Sequence, residues 1–323
     1  MNRARVPSEV TVFAPASVGN VGPGFDVLGM ALAGLGDTVW ARAIPGGKVV
    51  IREIRGDGGA LPTDARKNTA GIAATLVLRR LKIRSGVELS LEKRIPGSGL
   101  GSSAASAVAG GFAVKALFGS PLSKADLLLL CAEAEAAVSG GYFLDNTAAS
   151  LFGGVNVTNP ITRTAVPLGG LPGAVVIVAT PRYQLLTARS RKVLPKRVPL
   201  SAMVANLARA CGIVAAVARQ DAELLGRSIV DVVVEPRRAR LIPGFDAVKR
   251  AALKAGALGC SISGAGSSVF AITTDRALGE RIGEAMKRAF ARARLESVIT
   301  VTTIDPEGAR IVYGPPAINS AQR

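Results

Sequence analysis

At 323 residues, with 49% apolar and 20% charged side chains, the chain has the length for two domains and the composition of a globular protein. A formal net charge of +17 fits an acidic substrate, a nucleic acid or only a basic surface, but 4% aromatics leave little for the stacking platforms of a single-strand binder. The absence of His excludes Ser-His-Asp and Cys-His nucleophilic machinery and an HExxH zinc site. Catalysis must then rest on carboxylates, Lys, Arg, backbone amides, metal or the substrate's own charge.

Residues 1–7 carry charges with no apolar segment behind them, and no uncharged apolar run reaches bilayer length, so a cytoplasmic protein with no membrane partner is expected. A short β-branched strand at 10–13 leads into a long loop of small residues that holds Asn20 and Asp26. That loop reads either as a turn capped by Asp26 or as a place where a ligand meets two fixed polar groups. Strands follow at 37–43 and 48–54, then a helix from Asn68 to Leu81 that ends in Arg79, Arg80 and Lys82 near its negative pole.

Alternation at Val87, Leu89 and Leu91 marks a strand, and the proline-free apolar stretch 104–118 marks a buried helix. Between them stands Pro96-Gly97-Ser98-Gly99-Leu100-Gly101-Ser102-Ser103-Ala104-Ala105. Glycines at 97, 99 and 101 permit positive φ and close approach, and the helix start offers unpaired N–H groups to a phosphate. Ser102 and Ser103 stand where a hydroxyl caps the helix or reaches a magnesium ion. The run matches neither GxxxxGK[ST] nor GxGxxG, so alone it is equally a glycine turn with serine caps.

A helix capped by Ser123 carries Glu133 and Glu135, two residues apart, so only one of them faces the core. After Asp145-Asn146 and a stop at Gly153-Gly154, the Thr, Asn, Gly and Pro of 155–172 read as a boundary, dividing the chain into 1–165 and 166–323. The second half is expected to run as a strand at 175–179, a basic loop at 187–197 and a helix at 201–219. A break at Glu235-Pro236-Arg237-Arg238 precedes a helix at 246–255, two strands around the loop Ser263–Ser268, a helix at 277–291 and a strand at 297–303. The fold class is α+β. Cys131, Cys211 and Cys260, odd in number and set among apolar residues, read as small buried side chains.

Taken together, PASVGNVGPGFD, PGSGLGSSAAS and SGAGSSVF resemble the signature of the superfamily of galactokinase, homoserine kinase, mevalonate kinase and phosphomevalonate kinase. The homoserine kinase branch is the nearest in pattern. The resemblance covers nearly the whole chain. It implies an N-terminal domain like ribosomal protein S5 domain 2, a ferredoxin-like C-terminal domain and a homodimer. It also implies phosphoryl transfer from MgATP to the hydroxyl of L-homoserine, a step of threonine synthesis. By that likeness Pro96 to Ala105 hold the nucleotide phosphates, Asn68 lies near the adenine, and Ser103 and Glu135 hold magnesium. Asn20, Asp26, Asp145, Arg191, Arg238 and Gly264 hold the amino acid, with Thr187 near the transferred phosphate.

The chain departs from the family at Phe143, where His is usual, and at Ser267, where Pro is usual. Asn146 stands where mevalonate kinase has an Asp base, so proton transfer to the phosphate itself is the expected mechanism. Two rival readings remain at this point. One is a related kinase acting on shikimate or a mevalonate derivative, and the other is a nucleic-acid-binding module; the resemblance favours a kinase with no specific nucleic-acid partner.

Overall fold

The computed structural model describes residues 8–312, so the Met1–Pro7 segment lies outside the described residues. In chain order the elements are β1 (Glu9–Gly19), β2 (Leu28–Ile44), β3 (Val49–Arg55), α1 (Thr69–Arg80), β4 (Gly86–Glu92), α2 (Ser102–Leu117), α3 (Lys124–Ser139) and α4 (Asp145–Phe152). Next come β5 (Val155–Asn159), β6 (Thr164–Gly169), β7 (Val175–Pro181), α5 (Thr187–Lys192), α6 (Leu200–Arg219), α7 (Ala222–Ser228) and α8 (Glu235–Arg238). The chain closes with α9 (Phe245–Lys254), β8 (Gly259–Ile262), β9 (Val269–Thr273), α10 (Arg276–Arg292), β10 (Ser297–Thr303) and β11 (Arg310–Ile311).

The first sheet runs β11-β1-β2-β4-β3, with the β5–β6 hairpin joined to the start of β2, and only β3 and β4 are parallel. The second sheet is antiparallel in the order β10-β7-β9-β8. Apolar residues on one face of the first sheet, among them Val12, Val39, Leu89 and Leu91, pack on α1, α2 and α3. Strand β7 is buried on both faces and its period of two divides its side chains between two cores. Val176 and Val178 meet Met30, Leu32, Ile213 and Val217 in a core shared by the two sheets, while Val175, Ile177 and Ala179 face Phe245, Val248, Ile282 and Phe290 of α9 and α10.

Several expectations need correction. The long loop after residue 13 is mostly strand, because a register shift between Pro15 and Ser17 lets β1 continue past the proline to Gly19. Residues 155–169, read as a boundary, form the β5–β6 hairpin of the first sheet, and β6 runs across positions 165 and 166. The basic stretch from Thr187 contains helix α5, and α4 and α7 arise where no helix is expected. Cys131 and Cys260 are buried, but Cys211 is exposed on α6. That helix is long and apolar enough to be weighed as a membrane span, though Arg209 and Arg219 lie in it and its Ile213, Ala216 and Val217 pack into the shared core.

Candidate active site

The turn between β4 and α2 is shaped as much by its neighbours as by any ligand. Gly99 and Gly101 have φ of 91° and 64°, and Gly101 is the N-cap of α2 with no side-chain cap. A Cβ on Gly99 would stand 2.9 Å from Gly266 O, and one on Gly101 would stand 2.9 Å from Asn146 Oδ1, so side chains are shut out by packing as well as by conformation. Gly97, by contrast, does not adopt positive φ. Ser102 and Ser103 lie inside the first turn and do not cap it; both line the cleft, where the Ser103 hydroxyl donates to Glu135.

The C-terminal loop 263–268 is stitched to this turn. Ser263 Oγ donates to Gly99 O at 2.6 Å, Ser268 Oγ to Ser98 O at 2.7 Å, and Gly264 N to Gly19 O at 3.1 Å. Ser267 is buried and its hydroxyl donates to Tyr183 O, so this departure from the usual Pro supplies a tie to the chain after β7. Beneath the turn, Lys93 Nζ is paired with Asp37 and donates to Ser102 O at 3.1 Å and to Ser106 Oγ at 2.6 Å. Burial pushes the Asp37 carboxyl up, against the pull of Lys93 and of its hydrogen bonds.

Two cavities share residues 97, 98, 102 and 103 of the turn. The larger, about 660 Å³, is lined by Leu61, Pro62, Asn68, Thr69, Lys93, Pro96, Val138, Tyr183 and Gln184 among others, a size and an apolar rim suited to a nucleoside. Asn68 stands there, but its amide is already engaged: Oδ1 accepts Ala70 N at 3.0 Å as the N-cap of α1 and Nδ2 donates to Pro62 O at 3.2 Å. The smaller cavity, about 260 Å³, gathers Asn20, Asp26, Gly99, Gly101, Ala104, Glu135, Asp145, Thr187, Arg191, Arg238 and Gly264. Of the run 96–105, the side chains of Leu100 and Ala105 reach neither cavity; they are buried in the two cores that flank the turn.

Polar groups of the smaller cavity hold one another. Asn20 N donates to Asp145 Oδ2 at 3.1 Å, Asn20 Nδ2 to Gly264 O at 2.8 Å, and Asp26 N to Asn20 Oδ1 at 3.1 Å. Both Asn20 and Asp26 sit at positive φ, a conformation these two residue types tolerate better than most. Arg191 is paired with Asp26 at 2.6 Å, and Arg238, 3% exposed, donates from NH1 to Gly264 O at 2.7 Å. The Nε of each arginine is buried without a partner, so each retains a donor.

Burial and the nearby Asp26 raise Asp145 to about 6, while burial and the neighbouring Arg191 lower Arg238 to about 10. A carboxylate pair facing a guanidinium pair matches the two charges of an amino-acid zwitterion. Glu135 faces the same cavity, half-buried on α3, while Glu133 is exposed. Its carboxyl is raised by burial although it accepts a hydrogen bond from Ser103, and its Oε2 is buried with no partner. Phe25, Lys93, Ser106 and Gln184 are site residues that sequence reasoning missed, although Phe25 stands inside the PASVGNVGPGFD motif next to Asp26 and Lys93 lies just ahead of Arg94-Ile95-Pro96.

The GHMP kinases N terminal domain family matches residues 68–154, and the GHMP kinases C terminal family matches residues 213–292. The homoserine kinase of Chlorobaculum tepidum is 42% identical over 320 residues, spanning 94% of this chain and 98% of that protein. The Arabidopsis thaliana homoserine kinase is 44% identical over 313 residues, spanning 94% and 84%. Among solved structures, the homoserine kinase from Cytophaga hutchinsonii superposes with a TM-score of 0.91 at 41% identity, covering 97% of this chain and all of that one. An L. major mevalonate kinase, at 17% identity and a TM-score of 0.69, shares the fold alone. With likeness of this degree over nearly its full length, and with both halves of the cleft in place, the chain belongs to the homoserine kinase family of the GHMP kinases.

Proposed function

We propose that the protein transfers the γ-phosphoryl group of ATP to the side-chain hydroxyl of L-homoserine. The observation that carries this reading is the pairing of Asp26 and Asp145 with Arg191 and Arg238 in one small cavity that opens onto a glycine turn at a helix start. The nucleotide lies in the larger cavity, with its phosphates against the amides of 97–103. The amino acid places its ammonium toward Asp26 and Asp145 and its carboxylate toward the two free Nε donors, so that its hydroxyl points at the turn.

The hydroxyl oxygen bonds to the γ-phosphorus as the bond to the β-phosphate oxygen breaks. Asn146 offers no basic group, and its Oδ1 accepts the Ser17 hydroxyl at 3.0 Å, so the proton passes to the transferred phosphoryl group. Magnesium fits the pair Ser103 and Glu135, since both present hard oxygen and the buried Oε2 lacks any other partner. When bound there it would neutralise charge on the phosphates. Thr187, on the wall of the same cavity, lies beside the transferred group.

We also propose an S5-like first unit and a ferredoxin-like second unit. A sheet order of β10-β7-β9-β8 with α10 between β9 and β10 supports a ferredoxin-like second unit, and the break between β6 and β7 supports a division near residues 170–174 rather than at 165. The S5-like label, the homodimer, the cytoplasmic location and the lack of a specific nucleic-acid partner rest on the family likeness. Coupled detection of ADP with homoserine, threonine, serine, shikimate and mevalonate as acceptors tests the central reading. Homoserine as the clearly preferred acceptor is expected, and preference for any other would overturn it.

A further inference from the structure

Phe143, one of the two positions where the sequence departs from the family pattern, lines the smaller cavity, and its ring does not stand alone. The Arg191 guanidinium carbon lies 3.6 Å from the Phe143 ring centroid and 5.3 Å from that of Phe25. The Arg238 guanidinium carbon lies 5.2 Å from the Phe25 ring centroid, so Phe25 is within reach of both cations. All three distances fall within the range where the electron-rich face of an aromatic ring attracts a cation. The first is the spacing of a guanidinium laid flat on a ring.

The stack answers a difficulty in the site. Two guanidiniums converge on one small cavity, each with a buried, unpartnered Nε, and their mutual repulsion has to be met before any carboxylate arrives. Only Asp26 neutralises Arg191 directly, and Arg238 has a backbone carbonyl and no carboxylate at hydrogen-bond distance among the described residues. A ring within reach of both cations offers each a favourable field without competing for the N–H groups that the substrate needs. Backbone placement is consistent with this. A Cβ on Gly141 would collide with the Phe143 ring, so the glycine makes room for the ring, and Ser190 Oγ, donating to Ala265 O at 2.7 Å, fixes the helix that carries Arg191.

We infer that Phe143 and Phe25 are positioning residues that hold Arg191 and Arg238 ready for the carboxylate of the acceptor, Phe143 acting through Arg191 and not by touching the acceptor. The inference rests on the reading that these arginines receive that carboxylate. It explains why a non-polar ring serves here. What the position must supply is an aromatic face, not a hydrogen bond to the amino acid.

The test is a set of steady-state measurements with homoserine and ATP on Phe143→Leu, Phe143→Tyr, Arg191→Met and the Arg191→Met/Phe143→Leu double variant. Loss of the ring in Phe143→Leu is expected to raise the homoserine KM about three- to tenfold, with kcat and the ATP KM held within about twofold. Phe143→Tyr, which keeps the face, should restore the wild-type KM. In the Arg191→Met background, Phe143→Leu should cost nothing further, because the group through which the ring acts is gone. The same KM penalty with and without Arg191, or a penalty in Phe143→Tyr equal to that in Phe143→Leu, would overturn the inference and make the ring a wall of the pocket. Failure of the wild-type protein to phosphorylate homoserine would instead overturn the functional reading.

Discussion

The phosphate turn of the cleft is cut from one unbroken run of chain, residues 96–103, whereas the smaller cavity beside it is gathered from five further segments. One of its hydrogen bonds, Asn20 to Gly264, joins positions 244 apart. The first side works through backbone: positive φ, exposed amides and an exclusion of Cβ atoms that Gly99 and Gly101 enforce. The second works through long charged side chains whose orientation depends on what packs behind them. Damage to the first side should therefore cost chemistry or folding, and damage to the second should cost recognition of one substrate.

The harshest way to break this contrast lies beneath the turn, where both sides share a support. Lys93→Met leaves Asp37 buried and unpaired, and is expected to lower unfolding stability by about 3–5 kcal/mol in urea titration. A loss under about 1 kcal/mol would show that the turn does not depend on this pair. Next in size, Glu135→Gln should cut turnover about 10²–10³-fold while nucleotide still binds, because the loop amides remain. Calorimetry with nucleotide beside single-turnover rates separates the two, and near wild-type turnover would remove Glu135 from the chemistry.

Arg238→Ala sharpens the contrast from the other side. It is expected to raise the homoserine KM about ten- to a hundredfold and the ATP KM less than twofold, since a charge-assisted bond to a carboxylate is worth about 1.5–3 kcal/mol. Equal effects on both substrates would mean that the acceptor site lies elsewhere. The smallest effect is a titration. Asp145 is held at about 6, so its ionised form, the one that would receive an ammonium in the proposed reading, is lost as pH falls below that value. The kcat/KM for homoserine should fall about fourfold between pH 7 and 5.5, and Asp145→Asn should lack that limb. The same raised pKa sets the sign for stability: this group's ionisation costs the folded state more as pH rises from about 4 to about 6, with no further change above.

The contrast also explains what could be read from sequence. The 96–103 turn was legible because its chemistry is written in adjacent small residues between a period-two strand and an apolar helix. Strand β1 beyond Pro15 was not, since the register shift that carries it is set by pairing with β2. The β5–β6 hairpin has the Thr, Asn and Gly composition of a linker and becomes strand through its partner β2. Helix α5 is six residues, half of them basic, tied down by a hydrogen bond to a loop 75 positions away. Asp26, Asp145, Arg191 and Arg238 were named from likeness to a family, but nothing local announced that the Phe25 ring would lie within reach of both arginines.

The hydroxyls of Ser263 and Ser268, closing on Gly99 and Ser98, have a consequence for how such a protein can be recombined. A hybrid gene that joined the first 170 residues of this chain to the remainder of a distant relative would bring together two loops that never adapted to each other. Where the incoming loop carries bulk in place of Ser263 or Gly264, it would press on the phosphate turn at Gly99, although every residue of that turn came from one parent. Crossovers placed so that residues 263–268 travel with residues 96–103 should give folded, nucleotide-binding hybrids far more often than crossovers that separate them.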